Sequence, residues 1–287
     1  SHVEVETVSP EEAAEVALAL DAVREPDDTE PDDTEEEVGA SEQDVENESP
    51  EVAAHAAAEL GRTRQEQGDI DGAVAAYQAA IDSGIPEPAA IAAFSVGLLR
   101  EKQGDVEGAA AAYESAISTG DAEQTSKAAF NLGLLRYDKG DVDGAAAAYQ
   151  QAIDSGIPKQ AAKAAVNLGL LRYDQGDFDA AAAALQQAID IGIPKQAAQA
   201  RINLGLLRHE QGDLEGAAAA LQRAIDCGIP EEAANAALNL GLLRHEQGDF
   251  EGAAAAYQRA IDSGIPDEAA EAALNLATLQ AEQPQQP

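Results

Sequence analysis

Asparagine recurs every 36 residues inside stretches that are otherwise apolar, such as Ala-Ala-Val-Asn-Leu-Gly-Leu-Leu. A carboxamide both donates and accepts hydrogen bonds, and an unpaired amide among apolar side chains is costly. A column of such amides could bind the backbone of an extended peptide whatever its sequence. Alternatively, each amide caps or bridges neighbouring helices, and the two roles are compatible. The four asparagines are Asn131, Asn167, Asn203 and Asn239.

Other residue types recur at the same interval and predict the surface around the asparagines. On a helix, residues three or four apart share a face, so these positions form one stripe with an acidic edge. The tyrosine and histidine rings of this stripe could select side chains of a partner. Alternatively, their position could be an exposed one that tolerates any polar ring. The stripe contains Phe130, Leu134, Leu170, Leu206, Tyr137, Tyr173, His209, His245, Lys127 and Lys163, and its edge contains Asp138, Asp174, Glu210 and Glu246.

Catalysis and metal binding lack the residues that they need. His209 and His245 lie one repeat apart, about 10 Å by helix spacing, whereas zinc ligands lie within about 2 Å of the ion. The Asp-Val-Asp-Gly stretches lack the further oxygens of a calcium loop. Cys227 takes the position of Ser155 and Ser263 in other repeats, which indicates a substituted serine rather than a nucleophile. We therefore predict that the protein is not an enzyme and holds no metal or cofactor.

Charge restricts the partners. The 287 residues include 54 acidic and 17 basic residues, a net charge of −37. Binding to nucleic acid or to anionic lipid needs a basic surface, and no apolar run approaches the roughly 20 residues of a membrane span. We expect a cytoplasmic protein that binds neither nucleic acid nor membranes, although the acidity could also reflect a high-salt environment. Methionine is absent, even at position 1, which suggests a processed or excised piece.

The same 36-residue interval defines the elements that position these side chains. Gly61, Gly97, Gly133, Gly169, Gly205 and Gly241 recur at this spacing, with Ala277 in the seventh place. In each repeat a first apolar helix ends at a glycine such as Gly140, and the aspartate that follows caps a second helix. That helix ends at another glycine, and Ile-Pro opens the next repeat. One hairpin cannot bury its apolar face, so the repeats must stack into an all-α solenoid.

This pattern resembles the tetratricopeptide repeat family over about residues 50–282. The residues that carry the resemblance in one unit are Leu132, Gly133, Gly140, Asp141, Ala145, Tyr149, Ala152 and Pro158. The resemblance implies a right-handed superhelical solenoid of antiparallel helix hairpins, with six repeats and a solvating cap helix from Ala270 to about Glu282.

The sequence departs from the family pattern in three places. The period is 36 rather than the usual 34, and the family's large aromatic early in the first helix is Ala129, Ala165 and Ala237 here, or Arg201. The junction Ser118–Ser126 has lost its Ile-Pro, so we expect it to be irregular.

The resemblance also implies a function, because the first helices of such arrays line a concave groove that grips a peptide or helix. Family members that clamp acidic chaperone tails carry Lys and Asn where this chain has Phe130, Val166, Leu134 and Leu170, so that function is not supported. The apolar groove and acidic edge favour a protein or peptide partner with aliphatic and basic residues. We expect the recurring arginines to form ion pairs between repeats rather than an anion site: Arg100, Arg136, Arg172, Arg208 and Arg244.

The first 50 residues form a distinct segment with 19 acidic residues and one basic residue. A helix is predicted at about 10–24, with Ser9 as its cap and Pro10 in its first turn. Residues 25–49 are predicted to be an acidic disordered linker, and residues 283–287 a disordered tail. The leading hypothesis is a noncatalytic scaffold. The alternative is a regulatory or self-assembly domain of a larger protein whose own N-terminal helix docks into the groove in cis or in trans.

Overall fold

The computed structural model describes residues 49–282, which form thirteen α-helices and no strand. The predicted helix at 10–24, the acidic segment before Ser49 and the tail 283–287 lie outside the described residues. The helices are α1 (Pro50–Glu66), α2 (Ile70–Asp82), α3 (Pro86–Lys102), α4 (Val106–Ser118), α5 (Ala122–Asp138), α6 (Val142–Asp154), α7 (Pro158–Asp174), α8 (Phe178–Ile191), α9 (Pro194–Glu210), α10 (Leu214–Ile225), α11 (Pro230–Glu246), α12 (Phe250–Asp262) and α13 (Pro266–Glu282).

Long helices of 17 residues alternate with short helices of 12 to 14 residues. Each short helix begins after an aspartate whose side chain accepts a backbone N–H three residues later, as Asp141 Oδ1 does from Gly144 N at 3.0 Å. This bond satisfies one of the free donors at the helix N-terminus. Most long helices instead begin with proline, whose missing N–H costs nothing at that position.

The turn between a long and a short helix is closed by hydrogen bonds around one glycine. Gly140 has φ +75°, a left-handed conformation that costs glycine little. The N–H of Asp141 then donates to the carbonyl of Arg136 at 2.9 Å, which ends α5 as a Schellman-type cap.

The junction Ser118–Ser126 is regular, so the expectation of irregularity is wrong. Asp121 replaces the Ile-Pro entry, and its Oδ1 accepts the N–H of Gln124 at 2.8 Å. The helix that follows, α5, has the same 17 residues as the other long helices. A capping aspartate therefore starts a long helix as well as proline does.

Each long helix packs against the short helix that follows it and against the next long helix. The glycine of the Leu-Gly pair permits this approach, since a Cβ at Gly133 would lie 2.5 Å from Tyr149 Cδ1. Small side chains fill the rest of the core, as at Ala129 and Ala165, both 0% exposed. The result confirms the predicted all-α superhelical solenoid.

The last helix, α13, differs from the predicted cap. It begins at Pro266 rather than near Ala270, because it retains the proline entry of the other long helices. Its outward face is less polar than a solvating cap requires, since Leu274 is 67% exposed.

Candidate functional site

The long helices α5, α7, α9 and α11 stand side by side and present equivalent residues on one surface. We call this surface the long-helix face; in each helix it contains the asparagine, the leucine three residues later, and the tyrosine or histidine three residues after that. Leu206 and Leu242 are each 42% exposed, whereas Leu134 and Leu170 are half-buried. An exposed apolar row flanked by polar side chains is a common feature of protein interaction surfaces.

Phe130 does not lie on this face, although the sequence analysis placed it there. Its ring is 5% exposed and packs at 6.2 Å, centroid to centroid, on Tyr149 of the following short helix. Val166, its equivalent in α7, is buried in the same way at 2%. Residues three before the repeat glycine point toward the short helix, so they support the face from beneath.

The four asparagines have different surroundings. Asn131 and Asn203 are half-buried. Asn239 donates from Nδ2 to Asn235, reaching its side-chain Oδ1 at 2.7 Å and its carbonyl oxygen at 3.0 Å. Asn167 is 1% exposed, and neither its Nδ2 nor its Oδ1 has a hydrogen-bond partner among the described residues. The predicted column is therefore continuous in position but not in bonding.

The rings on the face connect neighbouring long helices to one another. The Tyr137 hydroxyl in α5 donates to Asp174 Oδ2 in α7 at 3.0 Å. Two repeats later, His209 Nε2 in α9 and Glu246 Oε2 in α11 approach to 2.5 Å. Burial, followed by the charge of Asp174, raises the pKa of Tyr137 to about 12. Burial also raises the pKa of Asp174, while the bond from Tyr137 opposes that rise.

Between these bridges, the remaining two rings contact phenylalanines of their own repeats. The ring centroids of Tyr173 and Phe178 lie 5.7 Å apart, and those of His245 and Phe250 lie 5.8 Å apart. The face therefore has a two-repeat period of 72 residues. The sequence analysis missed this period, and the signal was the occurrence of phenylalanine at the start of α8 and α12 but of no other short helix.

Lysines lie at the opposite ends of the long helices from the acidic edge. Lys127 Nζ contacts Glu123 at 3.0 Å, and Lys163 Nζ lies 6.0 Å from the centroid of the Phe130 ring. Lys159 and Lys195, which the sequence analysis did not select, stand in the first turns of α7 and α9, where neither helix has an acidic residue. The face thus has an acidic edge at the helix C-termini and a basic edge near the N-termini of its middle helices.

Four of the five arginines predicted to form ion pairs between repeats instead link the two helices of one repeat through a glycine carbonyl. The fifth, Arg172, donates to Gln175 Oε1 at 2.8 Å, and the predicted ion pair between repeats is present at Arg136. Arg100 Nη1 donates to the carbonyl of Gly108 at 3.1 Å. Glycine at that position permits the approach, because a Cβ there would lie 2.8 Å from Arg100 Cδ. Arg136 also crosses to the preceding repeat, reaching Glu114 Oε1 at 2.6 Å. The same bond to a glycine carbonyl is made by Arg64, Arg136, Arg208 and Arg244.

Cys227 has the structural role of the serine found in other repeats. Its Sγ donates to the carbonyl of Arg223 at 3.3 Å and accepts from Arg201 Nη1 at 2.9 Å. Ser155 similarly donates to the carbonyl of Ala152 at 2.6 Å. Within residues 49–282, no three His, Cys, Asp or Glu side chains are grouped closely enough to hold a metal ion. No helix in this range is both long and apolar enough to cross a bilayer.

Solved structures share this architecture at low sequence identity. PilF of Pseudomonas aeruginosa is 17% identical with a TM-score of 0.55, covering 82% of this chain and 100% of its own. BtubC of P. vanneervenii is 19% identical with a TM-score of 0.51, covering 84% and 96%. YrrB, described as a TPR protein with an unusual peptide-binding site, is 20% identical with a TM-score of 0.50, covering 71% and 97%. These similarities show the fold alone.

The sequence itself matches a family model along most of its length. The model of the tetratricopeptide repeat matches residues 58–125, 119–165, 130–195, 166–237, 230–268 and 238–287. No curated protein sequence matches the chain. The fold of this family typically serves as a noncatalytic scaffold for protein–protein interaction. With its repeats matched and its hairpins stacked as described, the chain belongs to the tetratricopeptide repeat family.

Proposed function

We propose that the protein is a noncatalytic scaffold that binds an extended or helical segment of a partner protein along the long-helix face. The exposed leucine row carries the proposal, since Leu206 and Leu242 remain 42% exposed beside Asn203 and Asn239. A partner that covers these leucines removes apolar surface from water, which favours association.

The asparagines give this surface a way to bind a polypeptide backbone. Each amide of the half-buried Asn131 and Asn203 offers both a donor and an acceptor. Asn167 has an unpaired donor and acceptor but is only 1% exposed, so it bonds a partner backbone only when the side chains that cover it move aside. Because backbone groups are the same in every peptide, these bonds give affinity, and the leucines and charged edges give selectivity.

The charged edges specify the chemistry of the partner. The carboxylates of the acidic edge complement Lys or Arg on one flank of the bound segment. They belong to Asp138, Asp174, Glu210 and Glu246. Lys127 and Lys163, together with the first-turn Lys159 and Lys195, complement acidic residues on the other flank. The partner segment is therefore aliphatic along its centre and basic on the flank near the C-termini of the long helices.

The test is affinity capture with the full chain as bait, read by mass spectrometry. The variant replaces the four asparagines of the face with alanine. A matched control replaces four carboxamides on exposed positions of the short helices, where each bonds an aspartate four residues later: Gln78, Gln150, Gln186 and Gln258.

Loss of one captured protein from the asparagine variant, with retention by the glutamine control and unchanged helicity, is the expected result. Equal capture by all three baits would overturn the proposal. Occupation of the face by residues 10–24 of the chain itself, the alternative from the sequence, predicts instead that Leu18→Glu with Leu20→Glu increases capture.

A further inference from the structure

The outward face of α13 is the most exposed apolar surface in the described part of the chain. Leu274, at 67%, is more exposed than any other large hydrophobic residue there. Ala270, Ala273, Ala277 and Ala281 are also exposed, and the spacing of these five residues places them on one stripe of the helix. We call this stripe the α13 stripe.

In the preceding repeat, the residues equivalent to the α13 stripe are buried beneath a short helix. Ala237 is 0% and Leu238 is 7% exposed. A Cβ at Gly241 would lie 2.4 Å from Tyr257 of the short helix, whereas the equivalent Ala277 already carries that Cβ. No described helix covers the α13 stripe, and the residues that follow, Gln-Pro-Gln-Gln-Pro, lack the Gly-Asp pair that starts every short helix.

We propose that α13 of a second copy of this chain covers the stripe, in a two-fold symmetric dimer. The covering helix must run antiparallel to α13, as each short helix runs to its long helix. A two-fold axis perpendicular to α13 produces this antiparallel arrangement. Such an interface is isologous, so the stripe must be complementary to itself.

The order of residues along α13 meets this requirement. With the axis between Asn275 and Leu276, Leu274 of one copy faces Ala277 of the other. The single large side chain then lies on a small one, as Tyr149 lies on Gly133 within a repeat. Ala270 faces Ala281 in the same register.

The charges of α13 favour the antiparallel pair over the parallel one, even though Glu282 of one copy is then one position from Glu268 of the other. Its acidic residues Asp267 and Glu268 stand in the first turn, and the last turn holds no basic residue. In the proposed register, Glu271 faces the uncharged Gln280 of the second copy. A parallel pair would place the acidic turns together, where like charges repel.

The interface is small, so the dimer is weak. One helix of 17 residues is about 25 Å long at 1.5 Å per residue, and a pair of such helices lies at the low end of interface sizes. We expect a dissociation constant on the order of 10 μM. The dimer is therefore populated at the concentrations used in ultracentrifugation.

Sedimentation velocity of the full chain, between micromolar and a few hundred micromolar, tests the proposal. The expected mass rises from that of the 29.6 kDa chain to twice this value and stops there. Leu274→Glu should weaken the dimer at least tenfold. Leu206→Glu, which places the same charge on the 42% exposed leucine of the long-helix face, is the matched control and should leave it unchanged.

A swap of side chains separates self-complementarity from simple loss of apolar surface. Leu274→Ala alone should weaken the dimer, and adding Ala277→Leu should restore it, because leucine again faces alanine across the axis. A monomer at all concentrations, or no recovery in the swapped variant, would overturn the proposal. So would masses that grow beyond two copies, or a dimer that dissociates with Leu206→Glu or with Leu18→Glu and Leu20→Glu.

Discussion

The long-helix face has a tyrosine half on α5 and α7 and a histidine half on α9 and α11. Both halves repeat the same arrangement, in which one ring bridges to the next long helix and the next ring packs on a phenylalanine. Both bridges join a half-buried ring to an exposed carboxylate, but they differ in chemistry. The neutral hydroxyl of Tyr137 donates to Asp174, whereas His209 and Glu246, 41% and 61% exposed, form an ion pair only when the ring is protonated. Solvent screens an exposed pair, so identical spacing does not give identical energy.

A second difference lies four residues before each asparagine. The tyrosine half has Lys127 and Lys163 there, and the histidine half has Gln199 and Asn235. Asn235 accepts from the amide of Asn239, whereas Asn167 has no partner among the described side chains and backbone groups. The amide at position 235 therefore satisfies Asn239, whereas the lysine at the equivalent position 163 leaves the amide of Asn167 without a partner in the described part of the chain.

The largest expected change in the free energy of unfolding comes from replacing, in each half, the glycine at which the long helix contacts the short helix. A Cβ at Gly133 would lie 2.5 Å from the rigid ring of Tyr149, and one at Gly205 would lie 2.9 Å from Leu221 Cγ. Gly133→Ala should lower the free energy of unfolding by about 3 kcal/mol through overpacking. Gly205→Ala should cost about 1 kcal/mol, because leucine shifts more easily and alanine favours the helix. Urea denaturation followed by circular dichroism measures both, and equal losses would contradict the account.

The asparagines offer the next contrast. Asn167→Leu should raise the free energy of unfolding by about 1 kcal/mol, because it removes a buried donor and acceptor that lack partners. Asn239→Leu should lower it by about 0.5 kcal/mol, because it removes the bond to Asn235. The midpoints of urea denaturation at constant m-value report both changes. Destabilisation by Asn167→Leu would show that its amide is satisfied in solution.

Removing the tyrosine bridge and removing the histidine bridge should change the free energy of unfolding by more similar amounts than the two asparagine variants do. Tyr137→Phe should cost about 1 kcal/mol, the usual contribution of one hydrogen bond. His209→Gln should cost no more than about 0.5 kcal/mol, as exposed pairs contribute little. Thermal melts at pH 7 compare the two variants. A larger loss from the histidine variant would reverse the ranking of the two halves.

Alkaline pH should affect the tyrosine half selectively. The pKa of Tyr137 is raised from 10.0 to about 12 in the folded protein, so the unfolded chain loses this proton first. The contribution of Tyr137 is then fully present below pH 10 and is lost as the pH rises toward 12. The difference in unfolding free energy between the wild type and Tyr137→Phe should shrink across this window. A constant difference from pH 9 to pH 12 would contradict the assigned burial.

Much of the fold could be predicted from the sequence because its signals are local. Gly140 and Asp141 end one helix and start the next through bonds that span fewer than six residues. Asp121 caps α5 by the same rule, so the junction that lacks Ile-Pro also follows a local signal. The candidate site was less predictable, because Phe130 shares a helix with the face but points toward Tyr149.

The sequence by itself determined the repeat, the turns between the helices and the row of asparagines. The repeat is visible in the recurring residue types, and each turn depends on hydrogen bonds that span fewer than six residues. Tertiary structure alone decided that Asn167 is buried without a partner while Asn239 bonds Asn235. Only the tertiary structure shows that recurring arginines such as Arg100 donate to glycine carbonyls and that the outward face of α13 is exposed. The physical reason is that hydrogen bonding and burial depend on which groups of neighbouring helices come within a few ångströms. Equivalent residues of near-identical repeats therefore have different neighbours and make different contacts.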